Sequence, residues 1–313
     1  MPSIISSLTT SQIAGFDTAS IAALTTADWA AFSSAQVAAL STTHIAAIST
    51  AGIAALTTSA MTGWETADLA LLSTAQVRAI ATDDLVALNT TQIEGFTSSQ
   101  VAALATAQVR ALETADIAAL GSTDVAAMGT AQIAAMATAQ IDALTTHQVA
   151  ALTTAQVVSL NTAQVVALDT ADIQALTTAQ AAALTTAQVR ALQTADVAAL
   201  QTADLAVMST AQLRALDTTQ FAALETTQLS SLSTAQVAGL TTQQTASLTT
   251  GDLNSLTTSQ FAALTTGQVA ALTTAQISSL DTVDQVVLSS AQVRALTTAQ
   301  IAALDTADVA ALT

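Results

Sequence analysis

The chain predicts an all-α solenoid built from short helices, one for every eight residues, and three observations carry that expectation. Every eighth residue from Leu8 to Leu312 is a large apolar side chain, Leu in most octads and Phe, Ile, Trp or Met in the others. Two residues after each of these stands a Thr or Ser, from Thr10 to Thr306. In most octads a second apolar residue, usually Val, Ile or Leu, stands three residues before the first, the spacing of neighbours on one helix face. A short period repeated without insertion dictates stacked units rather than a globular core.

Residues 1–8 form a lead-in, and Met1-Pro2-Ser3-Ile4-Ile5 lacks the basic segment of a classical signal peptide. Residues 9–313 read as a single octapeptide-repeat solenoid of 38 full octads that stops at Thr313, the first position of another. With the large apolar residue closing each octad at position 8, Thr185-Thr186-Ala187-Gln188-Val189-Arg190-Ala191-Leu192 is typical. Its order is that of a helix start. Thr at position 1 is the N-cap and Gln at position 4 is N3, which together make a capping box. The preceding Leu and the Val at position 5 fall at N′ and N4, a hydrophobic staple, and Ala-Ala follows as strong helix former.

Ten position-1 residues, among them Ala81, Gly121 and Gln193, are not the usual caps. There the Thr of position 2 competes for the cap, and the sequence leaves both registers open. Position 6 admits Arg78, Glu94, Asp142 and Gln174, so it faces solvent, while positions 5 and 8 are expected to be buried. Positions 1, 3, 4 and 6 are read as the surface, and the Thr of position 2 as a helix-start residue packed beside the next coil.

One continuous helix is a poor alternative. Eight residues advance about 800°, so the apolar stripe would drift about 80° per octad and no face could stay buried. A β-solenoid is the alternative fold, but it sends positions 5 and 8 to opposite faces and needs turn residues, whereas the chain has nine Gly and one Pro. Helices of about five to seven residues are too short to persist alone, so stacking must stabilise them. In the first third, Phe16, Phe32, Ile48, Trp64, Ile80 and Phe96 alternate with Leu24, Leu40, Leu56, Leu72, Leu88 and Leu104. This alternation from one octad to the next predicts two octads per coil. Gly15, Gly63 and Gly95 precede three of the aromatics, as if a small neighbour made room for each.

Composition excludes whole classes of function. The net charge is −17 and the five basic residues, all Arg, stand at position 6 (Arg78, Arg110, Arg190, Arg214 and Arg294). Such a chain is repelled by nucleic acid and by anionic membrane surfaces. Thr and Gln or Asp interrupt every octad before a membrane-spanning run accumulates, so no membrane insertion is expected. The absence of Cys excludes disulfides and thiolate metal sites.

No catalytic, cofactor or metal site is expected, and the chain does not read as an enzyme. His44 and His147 fall in distant octads and read as surface or capping substitutes. Asp recurs at position 4 (Asp28, Asp68, Asp84, Asp116, Asp124, Asp172, Asp196, Asp204, Asp252, Asp284 and Asp308). A carboxylate ladder for Ca²⁺ is one reading of that column. The other is substitution for Gln in the capping box, favoured near a helix N-terminus. No D-x-D-x-D-G loop supports calcium.

The signature Leu-Thr-Thr-Ala-Gln-Val/Ile, at residues 184–189 and 296–301, resembles the octapeptide tracts of long bacterial repeat proteins. That resemblance implies a surface or secreted protein of adhesin type, with no catalytic residue. The Gly-Gly-x-Gly-x-Asp nonapeptide of toxin-type repeats is missing. Leu-Thr-x-x-Gln-Val is also similar to the helix opening of TAL-effector repeats, but their longer repeat and base-reading loop are absent. The function expected is a structural or interaction protein, a rigid elongated scaffold or spacer at the cell surface or outside the cell. The alternatives are a binding module for a protein, a glycan or ice, and a filament subunit that self-associates through open solenoid ends.

Overall fold

The computed structural model describes residues 3–311. A 3-10 turn at Ile5–Ser7 is followed by one short α-helix per octad, from α1 (Thr10–Ala14) to α38 (Thr306–Ala311), counted in chain order. No strand occurs among the described residues, so the β-solenoid alternative falls. Met1, Pro2, Leu312 and Thr313, on which the readings of the two ends rest, lie outside the described residues.

Every helix begins at the Thr or Ser of position 2 and runs for four to six residues. Position 1 is the N-cap, in extended backbone: Thr185 has φ −73° and ψ 157°. The same register holds at Ala81, Gly121 and Gln193, which are extended caps without a side-chain cap bond. Capping chemistry therefore follows the register rather than setting it at those octads.

The six-residue helices end without a left-handed residue. Leu192 at position 8 is extended, with φ −57° and ψ 143°, and its N–H closes a final turn on the Val189 carbonyl at 3.3 Å. Position 8 and the next position 1 are thus two extended residues in succession, which is the joint. No described residue has positive φ. A glycine C-cap is unnecessary, which is how so many helix ends coexist with nine Gly.

The chain divides into two compact units, Met1–Leu160 and Asn161–Thr313, and each follows the same stacking rule. In the first, α6 (Thr50–Ala55) packs on α9 (Thr74–Ala79), α9 on α12 (Ser98–Ala103), and α12 on α15 (Ser122–Ala127). In the second, α22 (Thr178–Ala183) packs on α25 (Thr202–Val207), and α25 on α28 (Thr226–Ser231). Within each unit, the helices that stack are therefore third neighbours in the chain. Three octads complete a coil, which corrects the expected two.

The alternation of bulky residues with Leu has another cause. Sampled at every third octad, it alternates within each stacked column: Phe16, Leu40, Trp64, Leu88 on one side and Leu8, Phe32, Leu56, Ile80 on the next. From Phe32 to Phe96, each bulky or β-branched side chain therefore has Leu one coil before and one coil after it, as close packing of unequal volumes requires. The pattern reports core filling, not coil closure.

Position 5 is sealed through most of the array, with Val101 and Val237 at 0 % exposure, and position 8 is nearly so; in the last two octads Ile301 and Val309 at position 5 are 53 % and 50 % exposed, which corrects the expected burial there. Burying such a side chain contributes about 1.5–3 kcal/mol. Two per octad supply what a helix of six residues lacks by itself, since isolated helices below roughly 12–15 residues are marginal.

Glycine marks closer approach. A Cβ on Gly63 would run into the carbonyl oxygen of Ser34, in the coil below. What Gly63 makes room for is that backbone rather than its aromatic neighbour. The position-2 residue packs as expected, under position 7 of the next coil: the Thr66 methyl lies beneath Gly95. On its other side position 2 is mostly exposed.

Candidate functional site

Position 4 is the chemical centre of the repeat, and after the exposed Gln12 and Ser20 it is buried or half-buried from Asp28 onward. Gln100 is 2 % exposed and Gln244 likewise 2 %, which corrects the reading of position 4 as a surface position. The reason is a hydrogen-bond set that uses both ends of one amide. In the first unit, Gln100 Oε1 accepts from the Thr97 N–H at 2.7 Å and from the Thr97 hydroxyl at 3.1 Å. Its Nε2 donates to the carbonyls of Leu69 and Leu72, each at 2.7 Å. In the second unit, Gln244 accepts from the Thr241 N–H at 3.0 Å and donates to Leu213 and Leu216 at 2.7 and 2.9 Å.

In both units the two carbonyls lie 31 and 28 residues earlier, at positions 5 and 8 of the octad that ends under the joint. One side chain thus caps its own helix N-terminus and the C-terminus of a helix in the coil below. Those are the orphan groups that every short helix leaves at its two ends. At a net 0.5–1.5 kcal/mol for a typical bond, three such bonds per octad amount to roughly 2–4 kcal/mol.

His44 occupies the same place by the same logic. Its Nδ1 accepts from the Ser41 N–H at 3.1 Å and its Nε2 lies 2.8 Å from the Phe16 carbonyl, 28 residues back. Those partners assign the proton to Nε2. His44 is a buried capping substitute, and His147 is exposed at position 3 of another octad. At Gly52 the amide gives way to a neighbour: a Cβ there would meet the Trp29 indole Nε1 at 2.6 Å.

Aspartate keeps only half of the function. Asp196 Oδ2 accepts from the Gln193 N–H at 2.9 Å, but a carboxylate has no donor for the coil below. Compensation takes two forms. In the first unit a position-2 hydroxyl 26 residues earlier donates upward: Thr58 to Asp84 Oδ1 at 2.9 Å and Thr90 to Asp116 Oδ1 at 3.2 Å. In the second unit Gln at position 1 donates downward instead, Gln201 Nε2 to the Gln174 carbonyl at 2.6 Å and Gln193 Nε2 to Val166 at 3.4 Å. The signal for the second form was present, since Gln stands at position 1 only where Asp stands at position 4.

The electrostatics follow the same division. Burial raises the carboxyls of Asp68, Asp84, Asp196, Asp204 and Asp284 above the ordinary value. Asp28, over the lead-in, is lowered instead by hydrogen bonds from Thr25 and Ser3. Asp204 Oδ2 and Asp284 Oδ1 are buried without a hydrogen-bond partner.

With three octads per coil the Asp column is not a continuous ladder. Only Asp172 with Asp196, and Asp284 with Asp308, stand one coil apart; the other position-4 neighbours are Gln, His, Gly or Ala. Among the described residues, no group of three or more His, Cys, Asp or Glu side chains is arranged to hold a metal ion. The five Arg residues are exposed, and Arg294 Nε turns back to the Ser290 carbonyl at 3.0 Å.

The aromatic stretch carries a surface recess of about 560 Å³, lined by Thr62, Trp64, Glu65, Thr66 and residues 89–92. Trp64 is 3 % exposed, so its ring offers no open stacking face. No described helix is long and apolar enough to cross a membrane.

No curated protein matches the chain. The model of one repeat family matches it at residues 29–63, 77–114, 109–146, 117–154, 135–170, 143–178, 165–202, 197–233, 221–250, 246–282 and 279–313, a span that includes every position-4 amide described above from Gln100 onward. The chain therefore belongs to the ALTTAQ repeat family.

Proposed function

We propose that this chain is a non-enzymatic structural and interaction protein, a rigid elongated repeat scaffold or spacer within a bacterial surface or secreted protein. One observation carries the reading. The buried polar group of the Gln octads is consumed in tying coil to coil, and what remains exposed, positions 1, 2, 3 and 6, recurs once per coil on each side. Such a surface offers rows of identical small contacts rather than one convergent site, and rows suit extended partners or simple spacing. The resemblance of the Leu-Thr-Thr-Ala-Gln-Val signature to surface repeat tracts supports the location, and the charge of −17 supports a well-solvated body that avoids nucleic acid.

Small-angle scattering of the full chain tests the spacer. A compact domain of 313 residues has a radius of gyration of roughly 20 Å. A value well above that is expected, and a value near it would sink the reading. The exposed Thr at positions 1 and 2 favours one second reading, a binding module whose repeated face takes a protein, a glycan or ice. Thermal hysteresis of the purified chain distinguishes the ice arm. Self-assembly through coil ends predicts concentration-dependent fibres that vanish when a polar capping helix is appended.

A further inference from the structure

Asp204 is the position where the chemistry of the rung is inverted. It lies in α25 (Thr202–Val207), is 1 % exposed, and its Oδ2 has no hydrogen-bond partner. In the Gln octads of the same unit the position-4 amide donates to carbonyls 28 and 31 residues earlier. That register sets the carbonyls of Leu176 and Ile173 opposite the Asp204 carboxylate, acceptor against acceptor. Gln201 donates to the coil below at Gln174, one residue after Ile173 and two before Leu176.

The surroundings do not compensate the charge. Of the helices packed against α25, α22 (Thr178–Ala183) has no ionisable side chain, and α28 (Thr226–Ser231) brings Glu225 at its cap. Along the chain, α24 (Thr194–Ala199) carries Asp196 and α26 (Thr210–Ala215) carries Arg214 at exposed position 6. In α21 (Thr170–Ala175), which supplies the carbonyl of Ile173 and ends at that of Leu176, the ionisable residue is Asp172, with Asp169 at its cap.

We propose that Asp204 is a proton-binding site that completes its rung when occupied. A proton taken from solvent turns one carboxyl oxygen from acceptor to O–H donor, and the new hydrogen bond runs to the Leu176 carbonyl as the Gln amide does elsewhere. No covalent bond other than O–H forms or breaks.

Burial raises the Asp204 carboxyl, against a smaller pull from the Gln201 N–H. A folded-state value above the unfolded one means that folding takes up a proton. The resulting stabilisation is complete below the ordinary aspartate value of about 3.9 and is lost as pH rises through the higher folded value. Acidification from neutral therefore tightens this coil.

The test is a carboxyl ¹³C NMR titration of the intact chain, with Asp204 assigned by difference against Asp204→Asn. A midpoint above the ordinary aspartate range is expected; one at or below it overturns the proposal. Thermal melting gives the second readout. Asp204→Gln should raise Tm at pH 7 by about 2–4 °C and should flatten its rise toward pH 5. Asp142→Asn, which removes an equal charge at exposed position 6, should do neither. Equal pH dependence in the two variants overturns the proposal. So does a Tm increase on adding Ca²⁺ at neutral pH and fixed ionic strength that Asp204→Gln abolishes, because the site would then hold a cation.

Discussion

Two octads of the second unit place a polar residue at core position 5, and they solve the problem differently. In Thr241–Leu248, Thr245 is 0 % exposed, and its hydroxyl donates to the Thr241 carbonyl one turn back at 3.1 Å. Gln244 beside it completes the rung to Leu213 and Leu216. In Asp281–Leu288, Gln285 takes position 5 at 1 % exposure, and its Oε1 has no partner; nor has Asp284 Oδ1 next to it. Its Nε2 reaches the Leu280 carbonyl at 3.1 Å and Asp308 Oδ1 at 2.7 Å. Meanwhile Val283 and Val286 stand 63 % and 61 % exposed. The Leu and Thr columns hold the helix in register even when the residues between them would prefer a shift of one. Register is thus a collective property of the array, and a polar core residue is tolerated cheaply only where it can satisfy itself locally.

The sharpest way to break this contrast is to remove the rung from the well-satisfied octad. Gln244→Ala should destabilise the second unit by about 2–4 kcal/mol, since the Thr241 N–H and two carbonyls lose their partner. Chemical denaturation followed by far-UV dichroism reads the loss, and hydrogen exchange should place it at residues 213–216 and 241. Gln285→Val should move the poor octad the other way, by about 1–3 kcal/mol, because an incompletely paired buried amide becomes an apolar side chain. An unchanged melting temperature would mean that the octad already pairs Oε1 in solution. Thr245→Val should change stability by less than about 1 kcal/mol, since the lost hydroxyl bond is offset by removing a buried polar group and the Thr241 carbonyl keeps its bond from the residue 245 N–H. Val286→Ala, on the exposed side, should stay within about 0.5 kcal/mol of the parent. A larger loss there would indicate that Val286 is covered by something.

Much of this was legible in the residues. The capping box, the staple, the buried columns at positions 5 and 8 and the exposed position 6 follow from order within one octad, where the chemistry is local. The coil was not legible in the same way. An eight-residue period repeats equally well around two or three sides, and the one longer pattern, Phe16 to Phe96, reports volume alternation within columns. Position 4 was misplaced for a related reason. An N3 residue is ordinarily a surface residue that needs only one acceptor oxygen, and the second half of the amide acts on a helix in the coil below. A trace of that role was available: Glu, which suits a capping box as well as Gln, never stands at position 4. A glutamate there would turn a second acceptor toward two carbonyls. Gln can reverse one end of its amide, His44 can do so with two ring nitrogens, and Asp cannot do so without a proton.

The joint made of two extended residues has a consequence for how such arrays change length. Because each Gln rung is specified by an octad and by the octad four before it, a Gln octad can be added or removed among Gln octads while every type of bond persists. Within a unit three octads make a coil, so a single addition advances the rest of that unit by about a third of a turn. Length and facing are therefore coupled in steps of one octad. A gene that gains or loses one repeat does not merely lengthen or shorten the body; it re-aims whatever the following side chains present.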